Sequence, residues 1–91
     1  MIRFCLIGCG RAGLVHANNI VNRIQGAELA AVCDANVDTL NQVSRDYGVK
    51  KQFTDFREAA ESSEIDAVVI VTPTFLHRDI ACAAAQNGKH I

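Results

Sequence analysis

A chain of 91 residues bounds the protein at one domain, with a large share of its surface left wet. Its 49% hydrophobic and 21% charged residues read as a soluble globular chain, and a net charge of -1 removes the electrostatic case for nucleic acid or an anionic membrane surface. No apolar run approaches the roughly 20 residues of a membrane span, and none has the form of a signal peptide, so a cytoplasmic location is expected.

Along the chain the hydrophobic period switches between strand-like and helix-like. Ile2 to Ile7 form a near-continuous apolar run, as expected of a parallel strand covered on both faces. The segment from Arg11 to Ile24 places Ala17, Ile20, Val21 and Ile24 on one helical face, with Gly26 as a left-handed cap. Leu29 to Cys33 is a second apolar run, ending at Asp34. Val37, Leu40, Val43 and Tyr47 make a narrower helical stripe, closed by Gly48. A short third strand is expected around Lys50 to Phe53.

Asp55-Phe56-Arg57-Glu58 predicts a capping box that opens a short helix through about Glu61. Ile65 to Val71 is the clearest buried strand. Thr72-Pro73-Thr74 is a turn, because proline disfavours helix at the residue before it. A helix from about Phe75 to Gln86 follows, with Leu76, Ile80, Ala83 and Ala84 inward and Asn87-Gly88 as its stop. Lys89-His90-Ile91 looks like the first residues of another strand.

Strands and helices therefore alternate, which predicts a doubly wound α/β fold: a parallel sheet with helices on both faces. Right-handed crossovers and a reversal beside the first strand give the order 3-2-1-4, incomplete at the fifth strand. The strand Ala67 to Val71 would then sit at an open edge, although its apolar sequence suits an interior position. The chain is accordingly expected to be a fragment, or the ordered part, of something longer.

The chemistry is carried by the junction after the first strand. Gly8-Cys9-Gly10-Arg11-Ala12-Gly13 has the spacing G-x-G-x-x-G between a strand and a helix, which is the dinucleotide-binding (Rossmann) fingerprint. Gly8 permits the tight turn, Gly10 lets the backbone approach a pyrophosphate, and Gly13 lets the helix pack on the strand. The N–H groups of Arg11 and Ala12 at the helix start, with the positive end of its dipole, form a site for an anion. The Arg11 side chain points toward solvent or the same phosphates.

Asp34, about 20 residues beyond Gly13 at the end of the second strand, has the position of the acid that binds the adenosine ribose. A carboxylate there repels a 2′-phosphate, so NAD is favoured over NADP, and no arginine follows in Ala35-Asn36-Val37. The competing reading is that Asp34 merely caps the next helix.

Thr72, Pro73 and Thr74 follow the carboxyl end of the fourth strand, where ligands of open α/β sheets collect. Thr74 has a second reading as the N-cap of the next helix. His77, in that helix's first turn, is either a neutral hydrogen-bonding group in the cleft or a structural histidine. His16 is expected to pack or bond within the first helix.

The four cysteines have no C-x-x-C spacing, and Cys5, Cys33 and Cys82 fall on apparent core faces, so buried reduced thiols are expected. Cys9 at a helix N-terminus reads either as a thiol of lowered pKa or as a small side chain tolerated in a tight loop. The second reading is preferred, because no resolving cysteine is identifiable by spacing. No residue present is a convincing catalytic base, and no metal site is expected.

Taken together, Ile2-Arg3-Phe4 through Gly13, His16-Ala17, Ala31-Val32-Cys33-Asp34, Tyr47-Gly48, Thr54-Asp55-Phe56, Asp66 through Pro73, Thr74-Phe75-Leu76-His77 and Gly88-Lys89-His90-Ile91 resemble the Gfo/Idh/MocA oxidoreductases. The resemblance covers the whole chain and is greatest to the inositol 2-dehydrogenase branch. It implies an NAD(P)-dependent enzyme that moves a hydride between a nicotinamide and a sugar or cyclitol hydroxyl. It carries the family's glycine loop to Gly8, Gly10 and Gly13, its ribose acid to Asp34, and its cleft turn to Thr72, Pro73 and His77. Thr74 departs from the asparagine often found there.

The family's Glu-Lys-Pro motif, with its catalytic lysine, and its substrate domain lie beyond Ile91. The chain alone is therefore expected to lack turnover. The partners implied are a polyol or sugar substrate of the full-length enzyme and further copies of the chain, without nucleic acid or membrane. The alternative is a stand-alone nucleotide-binding or self-associating module without catalysis.

Overall fold

The computed structural model describes residues 2–22, 25–72 and 74–91, with the side chains of residues 11, 12 and 74–77 outside the description. Elements alternate as β1 (Ile2–Ile7), α1 (Arg11–Asn22), β2 (Ala27–Cys33), α2 (Val37–Tyr47), β3 (Lys51–Phe53), α3 (Phe56–Glu61), β4 (Ala67–Ile70) and α4 (Thr74–Gln86). The sheet is parallel in the order β3-β2-β1-β4, as expected from the alternation. His90 then forms a parallel bridge to Ala67, so the chain after α4 returns alongside β4.

Period-two alternation in β1 divides the core between the two faces of the sheet. Cys5 and Ile7 pack with Phe53, Ala59, Ile65, Val68, Ile80 and Ala84 on the α3/α4 side. Leu6 packs with Ala17, Ile20, Leu40 and Val43 on the α1/α2 side. β2 breaks the alternation: Phe4 pairs with Leu29 but Cys5 pairs with Ala31, leaving Ala30 as an extra residue. This bulge puts Leu29 and Val32 on one face and Ala31 and Cys33 on the other.

Several expectations shift at element ends. The fourth strand is shorter than Ile65 to Val71, although Asp66 just before it keeps a backbone bond, its N–H donating to the Arg3 carbonyl at 2.8 Å, while its carboxylate accepts from Arg3. Arg3 Nε and Nη2 reach Asp66 Oδ2 and Oδ1, both at 3.0 Å, and the Arg3 N–H adds a bond of 2.9 Å. The capping box at Asp55 is also modified. Its Oδ1 accepts from Arg57 N–H at 2.9 Å, while Glu58 N–H goes to the Asp55 carbonyl.

Val21 and Val37, expected on inward stripes, are exposed. Val37 is the first residue of α2, directly after the N-cap Asn36, and the burial of that helix begins only at Leu40. Cys82 is exposed as well. Two helical residues past the buried Ile80, it faces roughly the opposite direction. Ile24 lies outside the described residues, and so does the Leu76 side chain. Among the described residues no helix is long and apolar enough to cross a membrane.

Candidate cofactor site

The carboxyl ends of the strands meet at one rim, and short backbone bonds hold them there. Gly8 N–H donates to the Cys33 carbonyl at 2.8 Å, Val71 N–H to the Ile7 carbonyl at 2.8 Å, and Asp34 N–H to the Phe53 carbonyl at 3.1 Å. Between these ends lies a cleft of about 380 Å³, bordered by Gly8, Gly10, Asp34, Ala35, Val71 and Thr72, with Phe56 and Ile80 supplying apolar wall. Its position is the one where open α/β sheets take their ligands.

The three loop glycines meet different surroundings. A Cβ on Gly8 would run into the Val71 carbonyl, and the residue has φ +101°, which side chains rarely adopt. A Cβ on Gly13 would strike the Gly8 carbonyl oxygen, so α1 sits against the turn only because that atom is missing. Gly10 is exposed, borders the cleft and has nothing within 4 Å of its Cβ position. The first two absences are filled by the protein itself, and the third faces open space. Leu14 N–H makes the first intrahelical bond, to the Gly10 carbonyl at 3.0 Å. The N–H groups of Arg11, Ala12 and Gly13 precede it and stand at the helix start without an intrahelical acceptor.

Asp34 borders the same cleft with both carboxylate oxygens oriented. Oδ2 accepts from Cys9 N–H at 2.8 Å and Oδ1 from Asn36 N–H at 2.8 Å. The cap of α2 is Asn36 instead, whose side chain accepts from Thr39 N–H at 3.1 Å. The simple capping reading of Asp34 is thereby replaced by a loop-to-strand tie. Each oxygen retains acceptor capacity toward the cleft.

Thr72 is half-buried at the mouth, with its methyl group 3.1 Å from the Gly8 Cβ position. Thr74 is the first residue of α4, which puts His77 in the first turn, as the sequence predicts. Pro73 and the side chains of Arg11, Ala12, Thr74 and His77 lie outside the described residues. His16 is exposed on α1 rather than packed.

Cys9 is buried in the tight loop, and its thiol donates to the Cys33 carbonyl at 3.7 Å. Burial first, and the Asp34 charge second, push this thiol up to about 11, against a smaller opposing effect of the Cys33 carbonyl. Burial likewise pushes Cys33 up to about 12 and raises Cys5 further. The shift is upward for Cys9, opposite to the lowered thiol pKa that one reading of the helix start gave. Among the described residues no His, Cys, Asp or Glu group could hold a metal ion.

Sequence reasoning did not identify Thr54, Phe56 and Ile80 as cleft residues. Phe56 reads locally as a helix opener, and only the Thr54-Asp55-Phe56 motif as a whole hinted at more.

Comparison with known proteins agrees with this geometry. The Gfo/Idh/MocA family model, described as an oxidoreductase family with an NAD-binding Rossmann fold, matches residues 2–91. The scyllo-inositol 2-dehydrogenase (NAD(+)) of Bacillus subtilis is 43% identical over 99% of this chain and 26% of its own length. The myo-inositol 2-dehydrogenase of Thermotoga maritima is 34% identical over 99% of the chain and 27% of its own length. The crystal structure of scyllo-inositol dehydrogenase from Lactobacillus casei with bound NAD(H) and scyllo-inositol superposes with a TM-score of 0.94. It is 36% identical, over 99% of this chain and 26% of that one. The chain thus spans about a quarter of the length of these relatives. With strand order, glycine loop and family match in agreement, the chain belongs to the Gfo/Idh/MocA oxidoreductases and carries their NAD-binding Rossmann fold.

Proposed function

We propose that this chain is the cofactor-holding part, at residues 1–91, of an NAD-dependent dehydrogenase that acts on a sugar or cyclitol hydroxyl, most similar to the inositol dehydrogenases. The observation that carries the reading is Asp34: a carboxylate oriented by Cys9 N–H and Asn36 N–H at the edge of a cleft that Gly8 and Gly10 also border. Its free acceptor positions suit the vicinal hydroxyls of an adenosine ribose and oppose a 2′-phosphate. Gly8, Gly10 and Gly13 with the N–H groups of Arg11 and Ala12 would hold the pyrophosphate, and Thr72, Pro73, Thr74 and His77 would line the cleft beyond it.

The nicotinamide supplies the hydride chemistry, and the protein's share is to hold and orient it. A substrate domain beyond these residues would supply the polyol pocket and the proton transfer. The same reading assigns the longer protein to the cytoplasm, with further copies of itself as partners and neither nucleic acid nor membrane. The chain alone then binds cofactor without turning over.

Calorimetric titration with NAD and NADP tests this. NAD is expected to bind more tightly, and Asp34→Ser should weaken NAD by about 10- to 100-fold, the loss of about one charged hydrogen bond. Tighter binding of NADP than NAD would refute the role of Asp34. NAD reduction by the isolated chain with myo-inositol would refute the division of labour.

A further inference from the structure

Cys9 holds the end of β2 from both its backbone and its side chain. Its N–H donates to Asp34 Oδ2 at 2.8 Å, and its thiol donates to the Cys33 carbonyl at 3.7 Å. The preceding Gly8 gives its own N–H to that same carbonyl at 2.8 Å. The Cys9 residue is 1% exposed and lies in the cluster with Leu6, Ala17, Ile20, Val32 and Leu40. Gly10, next along, is exposed and has no side chain to anchor it. The buried Cys9 side chain is therefore the anchor between two glycines, on the segment whose N–H meets the carboxylate.

We propose that Cys9 is a positioning residue for Asp34, and that by seating the glycine loop in the core it sets the preference for a ribose diol over a 2′-phosphorylated ribose. The inference rests on the reading of Asp34 as the ribose acid. The Asn36 bond fixes one oxygen, Oδ1, and leaves the carboxylate able to pivot about it. The Cys9 N–H supplies the second fixed point, on Oδ2. With both in place the remaining acceptor positions have a set direction, and two hydroxyls can be met together. When the loop is loosened the second point is lost, and with it the alignment rather than the charge.

The test is a set of NAD and NADP titrations on the wild-type chain, Cys9→Ala, Cys9→Ser and Asp34→Ala, with the Cys9→Ala/Asp34→Ala double variant. Cys9→Ala is expected to weaken NAD by about three- to tenfold while leaving NADP unchanged, the partial loss of one charged hydrogen bond. Cys9→Ser, which keeps a small donor, should restore most of the preference. In the Asp34→Ala background, Cys9→Ala should have no further effect on NAD.

Equal weakening of both dinucleotides, or the same loss of NAD with and without Asp34, would mean general loosening and overturn the proposal. Should Cys9→Ala not fold, the Cys9 amide proton of the wild-type chain serves instead. It should move as Asp34 is protonated, and an amide that ignores both pH and Asp34→Asn overturns the inference. A wild-type chain that binds no NAD overturns the functional reading, whereas an NAD preference left unchanged by Cys9→Ala overturns only the role of Cys9.

Discussion

Replacing Gly8 by alanine should cost more stability than any other single methyl addition in the glycine loop except that at Gly13. The residue has φ +101°, and its Cβ would stand 2.7 Å from the Val71 carbonyl carbon and 3.1 Å from the Thr72 methyl. The nearer neighbour is main chain rather than a flexible side-chain end, and it is held in place, since Val71 N–H is bonded to the Ile7 carbonyl at 2.8 Å. Relief requires the end of β4 to move away from β1. A disfavoured dihedral costs about 1–2 kcal/mol, overpacking about 1–3 kcal/mol and the broken bond about 1 kcal/mol. The sum, roughly 3–6 kcal/mol, is a large part of the roughly 5–15 kcal/mol typical of a folded domain.

Urea unfolding of the purified chain, followed by far-ultraviolet circular dichroism, reads this directly, with Gly10→Ala as the control. Nothing lies within 4 Å of the Gly10 Cβ position, so that variant should lose only about 0.5–1 kcal/mol through a poorer helix cap. Its NAD affinity, in contrast, should fall more than about tenfold, because the methyl group enters the space a pyrophosphate would use. A Gly8→Ala chain within about 1 kcal/mol of wild type would refute the steric argument.

Three further outcomes are expected. The Arg3 guanidinium holds the Asp66 carboxyl below its ordinary value of 3.8, so the unfolded chain binds more protons on acidification. The stability from this pair is complete above about pH 4 and is lost as pH falls through the lowered folded-state value, a slope that Asp66→Asn should flatten in acid unfolding curves. With Cys5, Cys9 and Cys33 buried and Cys82 exposed, a thiol reagent at pH 8 should label Cys82 quickly in the native chain and all four only after denaturation. Asn36→Ala should cost about 0.5–2 kcal/mol by removing the cap of α2, yet spare NAD affinity, since Asp34 uses the Asn36 backbone N–H rather than its side chain; calorimetry on one sample can check both.

Local pattern was enough to read the strand order and the glycine loop, because each rests on short-range rules: period two in β1, helical stripes in α1 and α2, and a fingerprint with fixed spacing. What it could not supply depends on contacts between segments distant in sequence. Asp66 read only as part of the strand from Ile65 to Val71, and the hold of Arg3 on its carboxylate is visible only in the fold. Cys9 looked like a loop residue because its core neighbours Ala17, Ile20 and Leu40 come from helices that fold over it later in the chain. Phe56 was legible as a helix opener, but its place on the cleft wall follows from how α3 lies across the sheet. The bulge at Ala30 left no signal in an unbroken apolar run, since either register looks equally hydrophobic.

The placement of β1 between β2 and β4 also bears on how the chain comes to be folded. β1 is one of the two interior strands, and its two partners are made at very different times. One of its edges can be covered as soon as β2 emerges, while the other stays open until Ala67 to Ile70 have been made. Until β4 has been made, a nascent chain would therefore expose one hydrogen-bonding edge of a buried strand, which is the kind of surface that misassembles or recruits a chaperone. Closure by β4 is a long-range event, and the glycine turn at Gly8, which fits against Val71, is completed in the same step. The cofactor loop thus acquires its final shape only when folding has reached the far side of the sheet.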